Sequence, residues 1–110
     1  MYRLAALLLL GPALAAADRI TEMNGTELCA YKAKLSVAAY FYFLQGKPRG
    51  DVTIHWHGDE TQNEIDFVRR TLDEAYASAE ADKRDHRQRY VSEQAFGDRA
   101  YNACMSGERI

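Results

Sequence analysis

The sequence predicts an all-α fold: a small three-helix bundle with a long extended linker between helices one and two, closed by one disulfide. Three observations predict it. Three segments combine a helix-start signal with apolar side chains at helical spacing. Two cysteines, Cys29 and Cys104, lie near opposite ends of the chain. Between the first two helical segments, residues 46–58 are too many for a tight turn and include an alternating stretch.

The first segment of the chain is predicted to be a cleavable signal peptide. Arg3 supplies a positive charge, residues 4–10 a short apolar stretch, and alanines at positions 13, 15, 16 and 17 the small residues of a cleavage site. The apolar stretch is much shorter than the about 20 residues of a transmembrane helix. We therefore expect a signal peptide over 1–17 and one helical domain over 18–110, exported to the periplasm or secreted.

The charge balance argues against several partners. The chain has 14 Lys and Arg against 16 Asp and Glu, and the loss of Arg3 would leave 13 against 16, a net charge of about −3. There is no basic excess, so nucleic acid and anionic lipid are not expected partners. After removal of the signal peptide, no membrane span is expected.

Helix one is predicted from a capping box at Asn24 and Glu27 to a stop at Gly46-Lys47-Pro48. At 100° per residue its apolar side chains gather on two sides, with Lys32 and Ser36 marking one polar wedge between them. One side holds Tyr31, Leu35, Ala38, Ala39 and Tyr42, and the other holds Cys29, Ala33, Val37, Tyr40 and Leu44. This pattern predicts a central helix between two neighbours, with some rings of the run 40–43 buried and others exposed.

Helix two is predicted to begin within 59–64, at a capping box formed by Thr61 and Glu64 or, in a different frame, by Asp59 and Gln62. Its apolar stripe consists of Ile65, Val68, Leu72, Ala75, Tyr76 and Ala79. Phe67 points away from this stripe, and we expect it either under the preceding linker or exposed. Helix three is predicted from an N-cap at Ser92 to about Gly107. Its stripe is Phe96, Ala100, Ala103 and Cys104, with Gly97 beside it to permit close approach.

The two cysteines are predicted to form a structural disulfide, because an even pair in an exported protein favours a bridge and the pair lacks C-x-x-C spacing. The bridge also limits the topology. A helix of about 20 residues is about 30 Å long, whereas bridged Cα atoms lie about 4.4–6.8 Å apart. The linker must therefore carry the chain back along helix one, so that helix two starts near the N-terminal end of helix one and helix three returns to it.

The layout resembles that of small exported bacterial helical domains of unknown function. The similarity rests on Cys29, the aromatic run from Tyr40 to Leu44, the Gly46-Lys47-Pro48 stop, the amphipathic middle helix from Phe67-Val68 through Ala75-Tyr76, and Cys104. It covers most of residues 18–110. It implies a helical fold and export, and no activity.

The linker contains the one motif that suggests metal chemistry. Val52, Ile54 and Trp56 alternate with Thr53, His55 and His57, so in an extended chain the two imidazoles share one face. His55, His57 and Asp59 are the candidate ligands for zinc, nickel or copper(II), which accept imidazole and carboxylate groups. The alternative is that Ile54 and Trp56 hold the linker against the bundle while the histidines face water, and this alternative predicts no cofactor.

No catalytic motif occurs in the chain: there is no G-x-S-x-G, no H-E-x-x-H and no phosphate-binding glycine loop. The leading hypothesis is a non-enzymatic exported domain that binds a protein partner or serves as an accessory protein, with Trp56 and Phe67 as candidate contacts. A metal-binding accessory protein using the His-x-His linker is the first alternative. A periplasmic stress chaperone is the second.

Overall fold

The computed structural model describes residues 13–15, 20, 23–84 and 90–107. Three helices dominate them and pack together around one disulfide, which confirms the predicted fold class. In chain order the elements are β1 (Ala13–Ala15), α1 (Gly25–Leu44), a 3-10 turn (Arg49–Asp51), β2 (Thr53–His55), α2 (Gln62–Arg84) and α3 (Glu93–Met105). No helix in this part of the chain is long and apolar enough to span a membrane.

A short pairing of two strands accompanies the helices. β1 and β2 run parallel, with Ala13 opposite Thr53 and Ala15 opposite His55. β1 belongs to the segment predicted as a signal peptide, and the remainder of 1–17 lies outside the described residues.

The predicted caps position all three helices. The Asn24 side-chain oxygen accepts from the Glu27 N–H at 2.8 Å, and the Glu27 carboxylate accepts from the Asn24 N–H at 2.9 Å. This reciprocal pair satisfies two N–H groups at the start of α1. Gly46 ends that helix with a φ of 84°, a left-handed conformation that favours glycine.

α2 and α3 begin at the predicted residues for the same reason. The Glu64 carboxylate accepts from the Thr61 N–H at 2.8 Å, and the Thr61 hydroxyl accepts from the Glu64 N–H at 3.2 Å. The Ser92 hydroxyl accepts from the Ala95 N–H at 3.0 Å. The backbone N–H groups in the first turn of a helix have no carbonyl partner within the helix. Each of these contacts gives one such N–H group an oxygen acceptor.

The contacts between helices confirm the predicted topology. Cys29 and Cys104 are bridged with Cα atoms 5.5 Å apart, while Tyr40 stacks on Phe96 further along both helices. α1 and α3 are therefore antiparallel. Tyr31 near the start of α1 stacks on Phe67 near the start of α2, whereas Phe43 at the end of α1 contacts Tyr76. α1 and α2 are therefore parallel, because the linker returns the chain along α1.

The two apolar sides of α1 face different helices, as predicted. Tyr40 is fully buried against Phe96, with ring centroids 4.1 Å apart, on the α3 side. Tyr31 is buried against Phe67 on the α2 side. The prediction was wrong for Leu44, which is 40% exposed. Leu44 lies in the last turn of α1 and lines an open groove at that end of the bundle.

Gly97 allows α3 to approach α1 closely. A Cβ atom built at Gly97 would lie 2.6 Å from Cγ2 of Val37, well inside ordinary contact distance. Val37 is β-branched, so its methyl group has little freedom to move away. The glycine is therefore required by packing and not by backbone conformation.

We expect Gly97→Ala to lower the free energy of unfolding by about 1–3 kcal/mol, the usual cost of overpacking a tight contact. In a Val37→Ala background the same substitution should stabilise α3, since alanine exceeds glycine in helix propensity by up to about 1 kcal/mol. Urea unfolding of the four proteins in this cycle measures the change of sign. An equal effect of Gly97→Ala in both backgrounds would show that Val37 does not limit the contact.

Candidate functional site

The linker alternates as its sequence predicts. Val52 is buried, and Ile54 and Trp56 are partly buried against the core. Thr53, His55 and His57 are exposed. The linker is thus held to the bundle on one face, while both imidazoles point away from the core.

The candidate metal ligands are not gathered into a cluster of three. Within 23–84 and 90–107, no three His, Cys, Asp or Glu side chains come together in an arrangement that could hold a metal ion. The metal centre at His55, His57 and Asp59 therefore stays a prediction from the sequence. Two exposed imidazoles on one linker need ligands from another element to complete a metal shell.

Glu60 has a structural role in the turn that follows His57. Its carboxylate accepts from the backbone N–H of His57 at 2.6 Å and of Gly58 at 2.9 Å. Desolvation acts to raise the pKa of Glu60, but these backbone hydrogen bonds outweigh it and lower the pKa overall. Gly58 has a φ of 106°, which favours glycine at this turn.

The two aromatic residues proposed as partner contacts lie in different surroundings. Trp56 is partly buried, and the Arg69 guanidinium carbon lies 5.7 Å from its ring centroid. Phe67 is only 8% exposed, between the Tyr31 ring at 6.3 Å and the Lys32 ammonium at 5.7 Å. Phe67 was predicted to lie either under the preceding linker or exposed; the exposed alternative was wrong, and Tyr31 and Lys32 of α1 contact its ring.

Phe67 is buried because α1 covers a wider part of the surface of α2 than the apolar stripe alone. Glu64 and Thr71 lie on the same side of α2 as Phe67, at helical spacing, and both are buried. The Lys32 ammonium pairs with the Glu74 carboxylate at 2.9 Å beside them. A polar pair across the interface thus extends the contact between α1 and α2 beyond the apolar residues.

The exposed apolar side chains gather at the opposite end of the bundle from the disulfide. Four large apolar side chains are exposed among the described residues. One of them, Met105, follows Cys104 and so lies beside the disulfide; the other three lie at the far end. Phe41 and Leu44 lie in the last turns of α1, and Tyr90 contacts Phe43 with ring centroids 6.0 Å apart. Phe41 is the exposed ring expected in the run 40–43.

An open groove of about 680 Å³ lies beside these side chains. Phe43, Leu44, Tyr76 and Tyr90 form its apolar surface, and the loop 46–49 forms one wall. We call this feature the aromatic groove. Its volume falls in the range of about 300–1,000 Å³ typical of binding pockets.

Hydrogen bonds fix the wall of the aromatic groove. The Tyr76 hydroxyl donates to the Lys47 carbonyl at 2.8 Å, and the Lys47 N–H donates to the Tyr42 carbonyl at 3.0 Å. Burial raises the pKa of Tyr76, so its hydroxyl stays protonated as a donor at neutral pH. The loop after α1 is therefore held against α2 before any ligand arrives.

Charged side chains surround the opening. The Arg49 guanidinium pairs with the Asp73 carboxylate at 2.7 Å. Lys47, Glu80 and Lys83 also line the groove, and none of the three takes part in an ion pair within the described ranges. The groove thus combines an apolar floor with a charged rim.

Sequence patterns did not identify this groove, because it draws on three separate segments of the chain. Tyr90 lies beyond a strongly charged run, and Tyr76 belongs to the stripe of α2. Phe43 precedes the α1 stop, and Lys47 is part of it. The aromatic run followed by the glycine–proline stop was the one available signal.

No protein family model, curated protein or solved structure shows significant similarity to this chain.

Proposed function

We propose that this protein is an exported, non-enzymatic domain that binds a protein partner through the aromatic groove. The observation that carries the proposal is the position of Phe41, Leu44 and Tyr90 at the groove end of the bundle; they are three of the four large apolar side chains that are exposed among the described residues. Protein interfaces are enriched in aromatic side chains surrounded by a polar rim. The groove and its charged rim have this composition.

Two further features support export. The chain has a Cys29–Cys104 disulfide, and disulfides form and persist in oxidising compartments. The first 17 residues have the charge, apolar stretch and small residues of a signal peptide. The periplasm is the proposed location.

The test is capture of a partner by the purified domain, residues 18–110, with chemical cross-linking in an extracytoplasmic extract of the source organism. We expect one protein to be recovered in near-stoichiometric amount by the wild type. A Leu44→Ser, Tyr90→Ser double variant should recover at least about tenfold less, because truncation of central interface residues commonly costs more than 1 kcal/mol each.

Met105→Ser is the matched control, since Met105 is 50% exposed and lies at the other end of the bundle. It should capture as much partner as the wild type. Equal capture by all three proteins would place the interface elsewhere, and no specific capture by the wild type would contradict a partner-binding role.

A further inference from the structure

We propose that the aromatic groove takes an acidic peptide segment of the partner protein, with one large apolar side chain packed against the surface formed by Phe43 and Tyr90 and carboxylates on either side of it paired with Lys47 and Lys83. This inference rests on the proposed function and adds the chemistry of the partner.

The charges of the rim carry the proposal. Arg49 and Asp73 neutralise each other through their 2.7 Å contact. The side chains that remain without an ion pair in this part of the structure are two ammonium groups, Lys47 and Lys83, and one carboxylate, Glu80. The rim therefore has a positive excess, although the whole chain has a net charge of −2.

The two lysines approach the groove from different walls. Lys47 belongs to the loop after α1, where the Tyr76 hydroxyl and the Tyr42 carbonyl hold its backbone. Lys83 belongs to the last turn of α2. A segment lying along the groove would thus meet an ammonium group on each side of the aromatic floor. Because the backbone of Lys47 is already fixed, less ordering is required when the segment binds.

The shape of the groove favours a peptide over an enclosed small molecule. Leu44 is 40% exposed and Tyr90 is 46% exposed, so the apolar surface continues out of the cavity. A pocket for a small ligand usually encloses most of the ligand surface. An extended segment can instead place one side chain in the groove and continue over the exposed rings.

The experiment compares two synthetic seven-residue peptides with a central Phe, one with Asp and Glu on both sides of it and the other with Lys and Arg at the same positions. Binding to ¹⁵N-labelled domain is followed by amide chemical shifts at low salt. We expect the acidic peptide to bind about tenfold more tightly, with shifts at 43–49 and 76–83, and the difference to shrink as salt screens the charges.

Charge reversal tests the named residues. In a Lys47→Glu, Lys83→Glu variant the preference should invert towards the basic peptide, while Lys34→Glu, at an exposed position of α1, should leave the preference unchanged. Equal binding of both peptides, a preference that survives the reversal, or no binding of either peptide at millimolar concentration would overturn the inference. Loss of partner capture in the Leu44→Ser, Tyr90→Ser variant would still stand as separate support for the proposed function.

Discussion

Removal of the Cys29–Cys104 bridge by a Cys29→Ser, Cys104→Ser double substitution should lower the free energy of unfolding by up to about 4.5 kcal/mol. The bridge joins residues 75 apart in sequence, and the chain-entropy model gives this value for a loop of that length. For a domain of this size, such a loss corresponds to a melting temperature lower by about 20–30 °C. Thermal unfolding followed by circular dichroism measures it.

Reductant supplies the control for the bridge. It should lower the melting temperature of the wild type to that of the double variant and have no effect on the double variant itself. If reductant leaves the melting temperature of the wild type unchanged, the bridge does not stabilise the fold by lowering the conformational entropy of the unfolded chain. Retention of partner capture by the oxidised protein and its loss after reduction would link the groove to the stability of the whole bundle.

Phe96→Ala should be the most damaging single substitution in the core, with a loss of about 3–5 kcal/mol. Phe96 is 1% exposed and its ring lies parallel to that of Tyr40, with centroids 4.1 Å apart. Truncation would leave a cavity between α1 and α3, which contact each other more extensively than any other pair of helices. Denaturant unfolding of the variant gives the loss directly.

Phe41→Ala provides the comparison, because it removes the same ring from a position that is 41% exposed. It should cost less than about 1 kcal/mol. Tyr40→Phe separates packing from hydrogen bonding: it keeps the ring and loses the 2.6 Å hydrogen bond that the hydroxyl donates to the Val91 carbonyl, at a cost of about 1 kcal/mol. A loss below 1 kcal/mol for Phe96→Ala would show that this stack is not central to the fold.

Much of the bundle could be predicted because its determinants are local in sequence. The boxes at Asn24–Glu27 and Thr61–Glu64 place the starts of α1 and α2 by side chains only three residues from the groups they cap. The bridge then excluded a simple up-down-up order, because the length of α1 exceeds the reach of a disulfide. The direction of each helix followed from these two facts.

The polar side chains of the α1–α2 interface were predicted less well. Lys32 and Ser36 were expected to mark a polar wedge between the two apolar sides of α1, and in the structure Lys32 is 8% exposed and Ser36 is fully buried. Glu74 supplies the partner that makes burial of the lysine possible, and the Ser36 hydroxyl donates to the Lys32 carbonyl at 2.9 Å. A buried charge is tolerated when a partner satisfies it, and a helical pattern alone does not show that the partner lies 42 residues away.

The sequence by itself determined the helices, their caps, the bridged topology and the alternation of the linker, since each depends on neighbours in the chain or on one covalent constraint. Only the tertiary structure decided which polar side chains are buried, that Phe67 is covered, and that Phe43, Tyr76 and Tyr90 line one groove with Lys47 and Lys83. The physical reason is that burial and clustering of side chains depend on which distant segments of the chain pack together. These contacts form only when the linker places α2 parallel to α1.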